Sequence, residues 1–276
     1  MDSSKKIAEF KTQAWASRAS ATRYARQVNR DRGIENIYLE VQVSTLRKLT
    51  GSGSKVADIG SGTGALSLRL SNLGFVVTAI DISKEMLDEL RKRDKSRRIE
   101  TIEANIFDLQ AEGDFDGAVS RWVLPHFQDW YRVLPEVGKL LKSGGVFVFD
   151  FPNKEHVDYV RTKELMHPDK IGYDHWAEND FDPYSYYNSA DASELIRALD
   201  DAGFSMEARV PFGLVRANSL LAESSLFSKS RFQTWFWKLA LRLKIVQDLF
   251  RVIEANITPN LPINLVHSSF VVARKR

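Results

Sequence analysis

The sequence predicts an α/β fold built on a parallel sheet, and three observations predict it. From residue 54 to 151, strand-like apolar runs alternate with helix-period segments, the pattern of right-handed strand-helix-strand crossovers. The first run, VADIGSGTG at 56–64, passes Asp58 and opens into Gly60, Gly62 and Gly64, while the second, FVVTAID at 75–81, ends on Asp81. A strand that enters glycines ahead of a helix lets a ligand approach bare backbone N–H groups, and Asp81 brings a carboxylate to where a ribose would sit. The two elements together imply a nucleoside-containing ligand.

Taken in order, residues 1–50 carry helix-period apolar positions without strand alternation, and Gly33 is the natural break between two helices. Trp15 and Tyr24 are aromatic residues that would close over a ligand from this segment. Strands are expected at 54–59, 75–81, 99–104, 115–120 and 145–151, separated by helices at 64–73, 83–97 and 128–142. Ser83 is the expected N-cap of the second of these helices, because its hydroxyl can accept from an orphan backbone N–H. That helix ends in the charge run RKRDKSRR, read as a solvated face. With no aromatic residues interleaved, the run does not predict a nucleic-acid partner. Pro135 should bend the third helix or mark its true start.

Regularity lapses over 152–188, where ten aromatic and histidine side chains, His156 and His175 among them, suit a lid or pocket wall. A helix at 190–202 closed by Gly203, a sixth strand at 204–212 and a last strand at 265–275 follow, with a second insertion at 216–263. Within it, apolar residues at 229–253 recur at steps of three and four on two opposite faces of one long helix. From 229 to 251 six basic residues meet one acid, so this helix suits an anionic membrane surface, or the core and a homodimer partner.

The 276 residues suffice for one domain with elaborations, so 1–276 is read as a single unit with an N-terminal helical segment (1–50) and two insertions. A content of 43% hydrophobic and 27% charged residues excludes the disordered class, and a formal charge of +3 points to no particular partner. The absence of cysteine excludes disulfides and thiolate chemistry. The five histidines show no paired metal-ligand spacing, so no metal is expected. Neither a secretory apolar core nor an uncharged apolar run of about 18 residues occurs, so the expected location is cytoplasmic.

The glycine spacing narrows the ligand. A dinucleotide site favours GxGxxG, whereas here the glycines fall as GxGxG and Asp58 comes two residues before the first. A carboxylate at this strand end repels a pyrophosphate but can hold an ammonium group. S-adenosylmethionine has an ammonium, a sulfonium, a ribose and no phosphate. At this point the chain resembles the class I S-adenosylmethionine-dependent methyltransferases: VADIGSGTG looks like their first motif, TAIDIS their second, EANIFDL the adenine-contacting segment and LLKSGGVFVFDF the approach to the fifth strand.

That resemblance implies a Rossmann-like, seven-stranded, mostly parallel sheet with helices on both faces. It also implies S-adenosylmethionine as cofactor and S-adenosylhomocysteine as product. Carried over, it sets Gly60, Ser61 and Gly62 against the methionine part, Asp58 near its ammonium, and Asp81 on the ribose hydroxyls. Ile82 and Ile106 would flank the adenine, and Asn105 would accept from its amino group. Ser120, Arg121 and Trp122 would lie near the methyl-bearing sulfur. Ser143 stands where the family usually has proline.

Methyl transfer depends on positioning and water exclusion, with a base needed for a nucleophile of high pKa. His126 is the first candidate base, or else a residue shaping the cofactor pocket; His156 and His175 are alternatives. The leading expectation is an enzyme that O-methylates a small-molecule acceptor. N-methylation, an amphiphilic acceptor at a membrane surface, and a non-catalytic cofactor-binding regulator are the alternatives.

Overall fold

The computed structural model describes residues 34–109, 113–127, 129–156, 188–213 and 243–276. In chain order the elements are α1 (Ile34–Thr50), β1 (Lys55–Ile59), α2 (Ala65–Asn72), β2 (Val76–Asp81), α3 (Lys84–Arg93), β3 (Glu100–Glu103) and β4 (Phe115–Ser120). They continue with α4 (Val133–Leu140), β5 (Leu141–Pro152), α5 (Ala192–Asp201), β6 (Phe204–Phe212), α6 (Lys244–Val252) and β7 (Ser268–Lys275). The seven strands form one sheet in the order β3-β2-β1-β4-β5-β7-β6. All neighbours pair parallel except β7, which runs antiparallel between β5 and β6.

Strand alternation builds a core on each face. Phe147, Phe149 and Phe151 of β5 point to one side, with α4 (Leu134, Val137) and α5 (Leu195, Leu199). Val146 and Val148 point to the other, with α1 (Tyr38, Leu46) and α2 (Leu66, Leu70). Both sides of the central strands are therefore covered, which is why their sequences read as near-continuous apolar runs. β7 obeys the same rule, sending Val271 and Ala273 to the first core and Phe270 and Val272 to the second.

The chain reverses direction across the sheet at β1, whose neighbours are β2 and β4. A crevice at the carboxyl ends of the strands opens at such a switch point. Register aligns those ends: Asp58 lies opposite Ala79 and Val119, Ile59 opposite Ile80 and Ser120, and Asp81 opposite Glu103. The two acidic strand ends and the turn after β4 are thus held at one edge by backbone ladders.

Several boundaries differ from the sequence expectation. The helix expected at 83–97 ends at Arg93, because the buried Asp94 turns its carboxylate onto the Ile99 N–H at 2.9 Å and the Ser96 hydroxyl at 2.7 Å. The helix expected at 128–142 resolves into a 3-10 turn (Trp130–Arg132) and α4, so Pro135 falls in the first turn, where its missing N–H costs nothing. β5 then takes over from Leu141 rather than 145. The last strand begins at Ser268, after a 3-10 turn at Ile263–Leu265.

A single helix over 229–253 does not form. α6 starts at Lys244, behind a Leu243 of extended backbone, and apolar periodicity carries no mark of such a break. Trp15, Tyr24, His175 and most of both insertions lie outside the described residues.

Candidate active site at the glycine loop

The loop between β1 and α2 owes its shape to three glycines in the left-handed region, with φ of 67° at Gly60, 53° at Gly62 and 78° at Gly64. A side chain at two of these positions would also collide: a Cβ on Gly60 would come 2.3 Å from Val123 Cγ2, and one on Gly64 2.1 Å from Leu90 Cδ1. The loop is anchored on β2, since the N–H groups of Gly60 and Ser61 both donate to the Ile80 carbonyl, at 2.8 and 3.0 Å. From the opposite side Arg93, the last residue of α3, donates to the Thr63 carbonyl at 2.6 Å.

Asp58 is 1% exposed beneath this loop. Its carboxyl group accepts from the Ser67 hydroxyl. Ser67 is the third residue of α2, and the N-cap Gly64 has no capping side chain. Asp58 therefore sets its carboxyl group against the first turn of α2, the positive end of that helix. Burial pushes its pKa up to about 7, partly offset by the Ser67 hydroxyl, with the nearby Asp81 charge pushing the same way.

Asp81 stands at the end of β2, partly buried. One of its oxygens accepts from the Gly62 N–H at 2.7 Å and the other from the Ser83 N–H at 2.9 Å. Desolvation raises its pKa, opposed by those backbone donors. Each oxygen keeps a second lone pair, so the carboxylate can still accept two further donors. The Ser61 hydroxyl is buried with no hydrogen-bond partner among the described residues. Left-handed glycines, an orphan hydroxyl and a two-oxygen acceptor at one strand edge fit a nucleoside with a cationic tail.

Residues 57–149, which run from β1 through most of β5, match the family model described as a methyltransferase domain. The matched segment is that of a methyltransferase domain. Among curated relatives, the ubiquinone biosynthesis O-methyltransferase of Xanthomonas campestris is 32% identical over 106 residues, covering 37% of this chain and 44% of that protein. The chain spans less than half the length of the curated relatives it matches.

Two solved structures share the fold. One is the Burkholderia thailandensis 1,6-didemethyltoxoflavin-N1-methyltransferase with bound 1,6-didemethyltoxoflavin and S-adenosylhomocysteine, with a TM-score of 0.59 at 16% identity, covering 100% of this chain and 91% of that one. The other is the magnesium protoporphyrin IX methyltransferase of Synechocystis with bound SAH, with a TM-score of 0.57 at 14% identity, covering 96% and 97%.

Within the methyltransferase domain the remaining predicted site residues fall at the same edge. Ile82 follows Asp81 and is partly buried. Ile106 is buried in the core beside Ile80. The Asn105 side-chain oxygen accepts from the Phe107 N–H at 3.2 Å, shaping the turn after β3. Ser120 is fully buried, and its hydroxyl donates to the Ile59 carbonyl at 3.2 Å, tying β4 to β1. Arg121 is buried and pairs with Asp150 at 3.2 Å, its guanidinium over the rings of Trp122, Phe212, Tyr38 and Phe270. Trp122 adopts φ 57°, in the left-handed region.

His126 ends the 3-10 turn Leu124–His126 and is partly buried on the same loop. His156 lies beyond the end of β5, buried and stacked on His267 at 3.9 Å between ring centroids. Among the described residues no group of three or more His, Asp or Glu is close enough to hold a metal.

The sequence reading missed Asp150, Gln42, Ser67 and Val123. Asp150 had a signal, because it is an acid near the carboxyl end of an apolar run, as Asp58 and Asp81 are. Gln42 had none. It donates from α1 to the Ser120 and Val148 carbonyls, at 2.9 and 3.1 Å, the first of these a contact across 78 residues of sequence.

Proposed function

We propose that the chain transfers a methyl group from S-adenosylmethionine to a small-molecule acceptor, forming an O-methyl product. We read 1–276 as one methyltransferase domain whose two insertions build the acceptor pocket. The observation that carries the reading is the meeting of Asp81 with the left-handed glycine loop, where one carboxylate oxygen takes the Gly62 N–H. Two lone pairs of Asp81 would accept the two ribose hydroxyls, and Asp58 would supply the negative potential that an α-ammonium group needs below the loop. Gly60 and Gly62 let the methionine part approach the backbone, the Ser61 hydroxyl gains its partner, and Ile82, Asn105 and Ile106 surround the adenine.

When bound, S-adenosylmethionine supplies a methyl group activated by a positive sulfur. The chain then has to hold the acceptor oxygen in line and keep water away. His126, on the loop that follows β4, would take the acceptor's proton at a ring nitrogen. The preference for oxygen over nitrogen rests on the O-methyltransferase activity in the relative's name; a fold neighbour is an N1-methyltransferase.

Calorimetry with S-adenosylhomocysteine and with NAD tests the cofactor, and binding of NAD alone would overturn it. Asp81→Ala removes charge-assisted hydrogen bonds of about 1.5–3 kcal/mol, an expected affinity loss of roughly 10- to 150-fold. Unchanged affinity would refute the ribose role. Methyl-labelled cofactor offered with panels of phenols and amines decides the methylated atom.

A second reading, an amphiphilic acceptor met at a membrane surface, is favoured by the outer face of α6, where Ile245, Leu249 and Val252 are all more than half exposed. No described helix is long and apolar enough to cross a membrane, so such contact would be peripheral. Salt-sensitive co-sedimentation with anionic vesicles is its signature, and no sedimentation at low salt would dismiss it.

A further inference from the structure

Asp150 sits at the carboxyl end of β5, 1% exposed, away from the glycine loop. One of its oxygens accepts the Trp122 backbone N–H at 2.7 Å and the other the Arg121 guanidinium at 3.2 Å. Trp122 is one of two non-glycine residues among those described with positive φ, a conformation its Cβ disfavours unless neighbouring contacts impose it. The next residue, Val123, lies directly over Gly60, so close that any Cβ there would overlap it. The remaining supports of this turn are rigid: Gln42 holds the Ser120 and Val148 carbonyls, and Ser120 holds β1. A line of contacts thus runs from Asp150 through the Trp122 backbone and Val123 onto the glycine loop.

We propose that Asp150 is a positioning residue for the cofactor site, locking Trp122 in its left-handed conformation so that Val123 closes on Gly60. The inference rests on the cofactor reading above. Its physical content is that the bond to the Trp122 N–H offsets the local backbone cost. The ion pair with Arg121 orients the buried carboxylate, and the rings of Trp122, Phe212 and Phe270 pack against that guanidinium. A glycine at 122 would adopt φ 57° without that cost, and the line from Asp150 would lose its purpose.

The test is a thermodynamic cycle of Asp150→Ala and Trp122→Gly in the full chain, read by calorimetric affinity for S-adenosylhomocysteine and corrected by the binding stoichiometry for any unfolded fraction. Asp150→Ala alone should weaken binding by about tenfold or more, and the same change in the Trp122→Gly background by less than about threefold. Equal losses in both backgrounds, or no loss in the first, overturn the proposal. A role confined to stability through the ion pair gives equal losses, because Arg121 loses the Asp150 carboxylate in both.

If Asp150→Ala does not fold, Asp150→Asn keeps an acceptor oxygen for the Trp122 N–H. Its affinity should stay within about threefold of the parent, and a tenfold loss in this folded variant overturns the proposal. Failure of the unaltered chain to bind S-adenosylhomocysteine would overturn the cofactor reading and this inference with it.

Discussion

Replacing Asp58 with asparagine should change how stability depends on pH, and the structure gives both sign and size. The carboxyl is 1% exposed and its pKa is raised by burial from an ordinary 3.8 to about 7 in the folded chain. Between those values the folded chain holds a proton that the unfolded chain has released, so folding is favoured by acid. This contribution is fully present below about pH 4, falls as pH rises, and is gone above about pH 7. The slope is about 1.4 kcal/mol per pH unit. From pH 5 to pH 8 the change accrues over the two units below the folded pKa, or roughly 3 kcal/mol.

An asparagine side chain cannot titrate, so the Asp58→Asn chain lacks this component together with its coupling to Asp81. Urea unfolding of both chains at pH 5, 6, 7 and 8 without ligand gives the difference between their free energies. That difference should decline by roughly 3 kcal/mol across the series and flatten above pH 7. Parallel profiles, agreeing within about 0.5 kcal/mol at every pH, would refute the assignment of Asp58 as a carboxyl protonated by burial under the loop.

Other outcomes follow from the same geometry. If the ligand's ammonium needs an ionised Asp58, affinity for S-adenosylhomocysteine should rise about tenfold from pH 6 to pH 8 in the unaltered chain, as the ionised fraction climbs around a pKa near 7, and stay flat in Asp58→Asn. Gly64→Ala places a Cβ 2.1 Å from Leu90 Cδ1 at a φ of 78°, so the urea midpoint should report a loss of about 2–4 kcal/mol; a loss below about 0.5 kcal/mol would mean that the turn relaxes freely. For the base, His126→Ala should lower methyl-transfer turnover by about 10²- to 10⁴-fold while leaving S-adenosylhomocysteine affinity intact, and equal loss of both would make His126 a pocket-shaping residue.

The order of strands and helices was legible because both faces of the central strands are buried. Burial writes apolar runs into β1, β2, β4 and β5, and each run ends where the backbone meets solvent or ligand. The glycine loop was legible for a related reason, since its left-handed turns at residues 60, 62 and 64 are ones only glycine adopts cheaply. Element ends were less legible. Asp94 stops α3 through side-chain bonds to residues further along, and the break at Leu243 leaves the helical period of its neighbours intact.

What the sequence alone determined is therefore the chemistry available at one sheet edge: bare backbone at Gly60 and Gly62, and acids at the ends of β1 and β2. Local rules suffice for that, because turn conformation and strand burial each constrain residue type at the position itself. What only the tertiary structure decided is the use made of those groups. Asp58, which by sequence could hold an ammonium directly, lies beneath the loop and takes the Ser67 hydroxyl of α2. Asp150, one more acid near the end of an apolar run, reaches the Trp122 N–H from a neighbouring strand. Contacts between residues far apart in sequence depend on strand order and register, and no single position in the chain records them.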